Sequence, residues 1–200
     1  FRKEQQIGSD LTETISPTAQ VLLLYHLQIE SVQGLDARTL ASKLEVSYAS
    51  ANRAIRWLCD KELIKVSQGK SKLIEVHHTP KELWEKALPF LESPVAKIVY
   101  TDDLVNTWQS GINALSEYTM INPESRACYA VTKAALKTLC TRINTKFGNN
   151  IVEIWKYSPH LLSNTNTVDK LSLYLSLKET EDERVQIELD NLLNALWSEE

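Results

Sequence analysis

Asn52, Arg53 and Arg56 are the residues of this chain whose types and spacing best suit recognition chemistry. An arginine can bond guanine bidentately and an asparagine can do the same for adenine, and both can also hold phosphates. Ser47, Tyr48, Ala49 and Ser50 stand just before them and add hydroxyl and small groups. Arg38 upstream, with Lys70, Ser71 and Lys72 downstream, completes a candidate set for contact with DNA. The two lysines suit a phosphate backbone.

Such residues act only if the chain positions them together. Residues 36–44 place Leu40, Ala41 and Leu44 on one helical face, with Asp36 as N-cap. Glu45-Val46-Ser47 then turns the chain, and Ser47 caps a second helix from Tyr48 to about Lys61. Ala51, Ile55 and Leu58 recur at i, i+4 and i+7 and face the core. At ~100° per residue, Ala49, Asn52, Arg53 and Arg56 fall on the opposite side. Two β-rich runs follow, Leu63–Val66 and Leu73–Val76, separated by the turn-forming Gln68-Gly69-Lys70-Ser71. Two helices followed by a basic ribbon is the order of a winged helix-turn-helix.

Charge supports the same placement. Residues 37–73 hold eight Lys/Arg against three Asp/Glu, a balance of +5 within a chain of net charge −4. Residues 95–200 hold ten basic and fourteen acidic residues and show no comparable basic stripe. The hydrophobic content of 43% is ordinary for a globular protein, and two hundred residues suit one or two domains. The most apolar run, Val21–Tyr25, is too short to span a bilayer and no secretory core opens the chain, so the expected location is cytoplasmic, with no membrane partner. The chain begins at Phe1 and not Met, which leaves open whether it has been trimmed.

Enzyme chemistry is not indicated. The sequence has no glycine-rich phosphate loop and no nucleophile elbow, and Gly8-Ser9 lacks the Asp-x-Asp partner of a nucleotidyl-transfer site. Asp102-Asp103 reads as a helix start or a solvated turn. Cys59, Cys128 and Cys140 lack a C-x-x-C spacing and are expected to be reduced and structural. His26, His77, His78 and His160 show no ligand spacing, so neither a metal nor a cofactor is expected.

The organisation expected along the chain is a polar leader over residues 1–15, a winged helix-turn-helix over 16–92 and a small α/β domain over 95–200, an α+β chain as a whole. Ser16-Pro17 starts a first helix and Gln33-Gly34 ends it. Because Val21–Ile29 is apolar nearly all round, a contribution to a homodimer interface is open. Thr79-Pro-Lys-Glu82 is a capping box that opens a helix reaching about Leu91. Beyond the break at Glu92-Ser93-Pro94, the patterns predict a helix over 111–118, a strand over 128–131, a helix over 133–139 and a strand over 151–157. A helix over 169–178 competes with a strand, since Leu171, Leu173, Leu175 and Leu177 alternate. The last helix, over 180–197, opens on a capping box at Thr180–Glu183.

Two resemblances add to this reading. Leu40-Ala41, Leu44–Ser47 and Ala54–Leu58 resemble MarR-like winged helices, although such modules often carry Gly before the first wing strand where this chain has Asp60-Lys-Glu-Leu-Ile64. Gly111–Leu115 with Tyr118, Tyr129–Thr132, and Val168–Leu177 before Asp182–Val185 resemble the C-terminal region of AbiEi-type antitoxins. That resemblance implies a winged helix joined to an α/β domain, repression of its own operon through double-stranded operator DNA, and antagonism of a nucleotidyltransferase toxin without a stable complex. Two alternatives stay open: a MarR-like regulator whose C-terminal domain senses a ligand, and a winged-helix module that binds proteins.

Overall fold

A computed structural model describes residues 14–69 and 71–198. The chain is α+β, with eight α-helices, a two-stranded ribbon and a mixed four-stranded sheet among the described residues. No described helix is long and apolar enough to cross a membrane.

The first helix, α1 (Pro17–Gln28), starts as its sequence demands: Ser16 Oγ accepts the Ala19 N–H at 3.2 Å and Pro17 occupies the first position. It ends earlier than expected. Ile29 N and Glu30 N both donate to the Tyr25 carbonyl, at 2.9 and 3.1 Å, and His26 Nδ1 accepts from Val32 N. Gly34, at φ +77°, serves a later turn, where its N–H donates to the Ile74 carbonyl at 2.8 Å. Most of the expected leader lies outside the described residues, but Ile15 is buried in the core.

Helices α2 (Ala37–Lys43) and α3 (Tyr48–Asp60) bury Leu40 and Ala41, and Ala51, Ala54, Ile55, Trp57 and Leu58. Both end in the same way. After α2, Val46 N donates to Ala41 O at 3.0 Å and Glu45 N to Ser42 O at 3.3 Å, with Glu45 at φ +54°. After α3, Leu63 N donates to Leu58 O and Glu62 N to Cys59 O, both at 3.0 Å, with Glu62 at φ +57°. These are paired 6→1 and 5→2 bonds with a left-handed residue past the helix end, a position that favours glycine.

The ribbon is shorter than expected. Strands β1 (Lys65–Val66) and β2 (Ile74–Glu75) pair antiparallel over two residues each. Leu63 and Ile64 leave the strand because they close the end of α3 and fill the core, and Val76 N donates instead to Gln33 Oε1 at 2.6 Å. On its other side β2 meets the segment before α2, through the Asp36–Leu73 bridge and the 2.9 Å bond from Ile74 N to Leu35 O. Helix α4 (Pro80–Ala87) has the full capping box of Thr79 and Glu82, and the expected run to Leu91 becomes a 3-10 turn over Leu88–Phe90.

The second half forms the sheet from β3 (Val95–Thr101), β4 (Trp108–Gln109), β5 (Cys128–Thr132) and β6 (Asn150–Trp155), in the order β3-β6-β5-β4. Neighbours β5 and β6 are parallel and are linked through α6 (Lys133–Leu139), whereas both outer pairs are antiparallel. Strands β3 and β4 are additions to the sequence-based expectation. Helix α5 (Gly111–Tyr118) lies where it was expected, and α7 (Lys170–Leu177) settles the helix-versus-strand ambiguity, since Leu171, Ser172, Leu173 and Leu175 are all buried within a helix. The last helix, α8 (Glu183–Ser198), corrects the predicted cap: Asp182 Oδ1 accepts from Arg184 N at 3.0 Å, whereas Thr180 Oγ1 only receives Asp182 N at 3.5 Å.

One hydrophobic core crosses the boundary expected near residues 92–95. It joins Leu22, Leu24, Leu58 and Trp84 to Leu115, Trp155, Leu171 and Leu189. The apolar circumference of α1 is therefore buried within its own chain. Polar bonds tie the same seam: Gln28 Nε2 donates to Asp169 Oδ2 at 2.8 Å, and Gln28 Oε1 accepts from Leu171 N at 3.1 Å. Gln20 Nε2 donates to Glu92 O and Tyr157 Oη, and Tyr157 Oη meets Ser172 Oγ at 2.9 Å. A smaller cluster under α6, including Val99, Val131, Leu136 and Val152, covers the other face of the sheet.

Candidate nucleic-acid interface

Helix α3 buries one side so completely that its other side must face solvent, and that side carries the residues singled out above. Ser47 Oγ caps the helix by accepting from Ser50 N at 3.1 Å, and its hydroxyl meets Ser50 Oγ at 2.9 Å. Ser50 Oγ in turn accepts from Arg53 Nη2 at 3.1 Å, which orients the guanidinium along the helix and leaves its other donors outward. Asn52 is half-buried at the edge of this face, its Nδ2 donating back to Tyr48 O at 3.1 Å. Ala49, Arg53 and Arg56 are exposed, and Tyr48 is 57% exposed at the start of the helix.

The cations divide into two groups. Lys43 is bound to Glu30 at 2.7 Å, and Lys61 lies near Asp60 and over the Trp57 and Phe90 rings, at 5.8 and 5.6 Å. Those two are engaged by the fold. Arg38, Arg53, Arg56, Lys65 and Lys72 make no ion pair among the described residues. Guanidinium and ammonium groups without an ion-pair partner keep their attraction for an outside anion. Glu45, at the turn into α3, directs its carboxylate to His160 Nε2 at 3.1 Å.

At the ribbon, Ser67 fixes the tip. Its Oγ donates to Ser71 O at 3.1 Å and accepts from Leu73 N at 3.0 Å, so Ser71 and Lys72 are both exposed on a closed turn. Lys70 lies outside the described residues. Arg38 is exposed near the start of α2. The structure thus puts the described members of the candidate set on α3, on α2 and at the ribbon.

Among the described residues no group of three or more His, Cys, Asp or Glu side chains could hold a metal ion. All three cysteines are free thiols, and burial beside the Glu153 carboxylate pushes the Cys128 thiol well up. Asp102 and Asp103 sit in the turn after β3 and bind backbone: Asp103 Oδ2 accepts from Thr141 N, Thr141 Oγ1 and Arg142 N, at 2.7, 2.9 and 3.0 Å. The Arg142 amide, then the Thr141 hydroxyl and amide, hold the Asp103 carboxyl down at about 2.

Counting net charge over the whole second half conceals one stretch. Residues 125–152 contain Arg126, Lys133, Lys137, Arg142 and Lys146 and no Asp or Glu. A sliding count of charge, in place of a total, exposes it. Comparison with protein-family models, curated proteins and solved structures found no match to this chain.

Proposed function

We propose that residues 16–92 form a winged helix-turn-helix and that the chain is a sequence-specific, double-stranded DNA-binding transcriptional regulator. The observation that carries this reading is the outward face of α3, where Arg53 and Arg56 are exposed and make no ion pair among the described residues, with a basic ribbon following α3 in the chain. The Asp36–Leu73 bridge adds a third extended segment to the ribbon, which suits a wing braced against the helices. In this reading α3 enters the major groove, Arg53, Arg56 and Asn52 address base edges, and Arg38, Lys70 and Lys72 address phosphates.

The C-terminal resemblance extends the proposal to an AbiEi-like antitoxin that represses its own operon and counters a nucleotidyltransferase toxin. The test has two arms. Selection from random duplexes should enrich one site whose binding weakens linearly in log affinity against log salt. Co-expression with a candidate nucleotidyltransferase toxin should restore growth. Failure of selection removes the regulator reading, and failure of rescue alone removes only the antitoxin.

A second reading, regulation by a small ligand, is favoured by a cleft of about 250 Å³ between α1, the α2–α3 turn and residues 156–161. Val21, Leu44, Val46 and Leu161 give it apolar walls, and Glu45 and His160 meet at its edge. A ligand there would touch the turn that aims α3. Displacement of bound operator by that ligand, together with a raised melting temperature, would establish this reading.

A further inference from the structure

Along the sequence, Arg126, Lys133, Lys137, Arg142 and Lys146 form a basic strip, residues 125–152 holding no Asp or Glu, that the proposed duplex-binding face does not use. Helix α6 and its basic residues lie over the sheet face opposite the one that packs against the N-terminal half, since the cluster under α6 is separate from the main core. Lys133 and Lys137 are exposed one turn apart on α6. Lys133 occupies the first position of that helix, where the macrodipole disfavours a cation, so helix stability does not account for it. Lys133, Lys137 and Lys146 make no ion pair among the described residues, Arg126 is exposed with its guanidinium 5.7 Å from the Tyr100 ring centroid, and Arg142 is 82% exposed with one 3.5 Å contact to Asp103.

The loop after α6 adds an aromatic group. Phe147 is 74% exposed and Ile143 45% exposed. A large exposed ring on a loose loop would mean little, but this loop is held at many points. Tyr100 and Asn144 exchange two backbone bonds of 2.8 Å, Thr101 Oγ1 donates to Arg142 O at 2.6 Å, and Asp102 Oδ1 accepts from Asn149 N at 2.9 Å. Asn144 Oδ1 accepts from Lys146 N and Phe147 N, at 2.8 and 3.3 Å. At Gly148 the loop passes so close to β3 that an added Cβ would lie 2.6 Å from Thr101 N. Beside the ring is an open cleft of about 620 Å³ whose lining includes Asp102, Arg142, Asn144, Phe147 and Asn149, the Asp102 carboxylate being held by Asn149 N.

We propose that this strip and loop form a second binding surface, for single-stranded nucleic acid. The lysines and arginines track the phosphates, Phe147 stacks on an unpaired base, and the Asn144 and Asn149 amides meet base edges in the cleft. A duplex cannot offer Phe147 a free base face, whereas a single strand can. The Asn144 and Asn149 amides beside the ring favour nucleic acid over an anionic lipid surface, which offers no base edge.

The test measures fluorescence anisotropy of labelled oligo-dT and oligo-U with the full chain over a salt series, alongside a duplex of equal length and vesicles of phosphatidylserine and phosphatidylcholine. Binding of the single strands is expected. Phe147→Ala should weaken it at least fivefold, as loss of one stacked base implies. Lys133→Gln with Lys137→Gln should flatten the salt slope by about 1.4, for two phosphates of a single strand. Arg53→Ala with Arg56→Ala should leave it unchanged, which separates this surface from the proposed duplex site. Melting temperatures of all variants should match the parent. Absence of single-strand binding, equal loss with the α3 variant, indifference to both surface variants, or Phe147-dependent binding to vesicles alone would overturn the proposal.

Discussion

Replacing Glu62 by glycine should make this protein more stable. Glu62 is exposed, lies past the end of α3 at φ +57°, and makes no ion pair among the described residues. The 3.4 Å contact of His78 Nε2 is to its backbone carbonyl, which any residue retains. An L-residue in the left-handed region costs ~1–2 kcal/mol, from the clash of Cβ with the following carbonyl. Glycine escapes that cost but loses ~0.5–1 kcal/mol more entropy on folding. The difference leaves a net gain of ~0.5–1 kcal/mol, or about 1–4 °C in melting temperature for a chain of this size. Urea denaturation at constant m-value measures it directly. Removing a carboxylate from a helix C-terminus is also favourable, so Glu62→Ala is the control, because it removes the charge and keeps the Cβ. An alanine variant that gains as much as the glycine variant, or a glycine variant no more stable than the parent, would refute the backbone argument.

Four further outcomes are expected. Arg53→Ala should weaken operator binding by ~1–3 kcal/mol with relaxed preference at one base pair, read by competition with single-base variants of the site. Lys70→Ala with Lys72→Ala should lower affinity for every duplex alike and flatten the salt slope by roughly 2 in a titration series. Burial pushes the Asp169 carboxyl up against the opposing pull of Gln28 and Ser172, so the stability it contributes is fully present below about pH 4 and is lost as pH rises through its raised value. Asp169→Asn should therefore be the more stable form near neutral pH, with the gap closing on acidification in paired melting curves. Gln28→Ala should cost ~2–3 kcal/mol in chemical denaturation, because it strips one bond from a buried carboxylate and one from Leu171 N.

Local signals in the sequence reached a long way into the fold. Ser16, Asp36, Ser47 and Thr79 cap the helices they were expected to cap, because capping needs only a side-chain oxygen and an amide three residues on. Helices α5 and α6 follow their apolar patterns for the same local reason, whereas the alternating leucines of α7 suit a strand as well as a helix. Strand β3 was not read, since its stability comes from pairing with β6 some fifty residues later and its exposed Ala96, Lys97 and Ile98 break any alternation. The end of α1 was misplaced because Gly34 looks the same whether it closes a helix or starts a turn into β2. Of the candidate interface, the outward positions of Arg53 and Arg56 followed from periodicity, whereas the pairing of Lys43 and Lys61 did not, because Glu30 and Phe90 are brought to them only by the tertiary fold. The strip from Arg126 to Lys146 was hidden by an acidic total.

The seam between α1 and α7 has a consequence for the heredity of this chain. A reading head that rested on its own core could be cut out by recombination and joined to any other effector domain, and each new pairing would be tested by selection on function alone. Here Gln20 and Gln28 on α1 are committed to Tyr157, Asp169 and the Leu171 amide, and the leucines of α1 lie in a core completed from beyond residue 95. A graft of residues 16–92 onto a foreign partner would bring an exposed apolar helix and leave the donor with a buried carboxylate short of a bond. The two halves must be inherited together. Substitutions at Gln28 and Asp169 should accordingly travel as pairs, whereas exchanges at the exposed Arg53 and Arg56 on α3 leave those bonds across the seam intact.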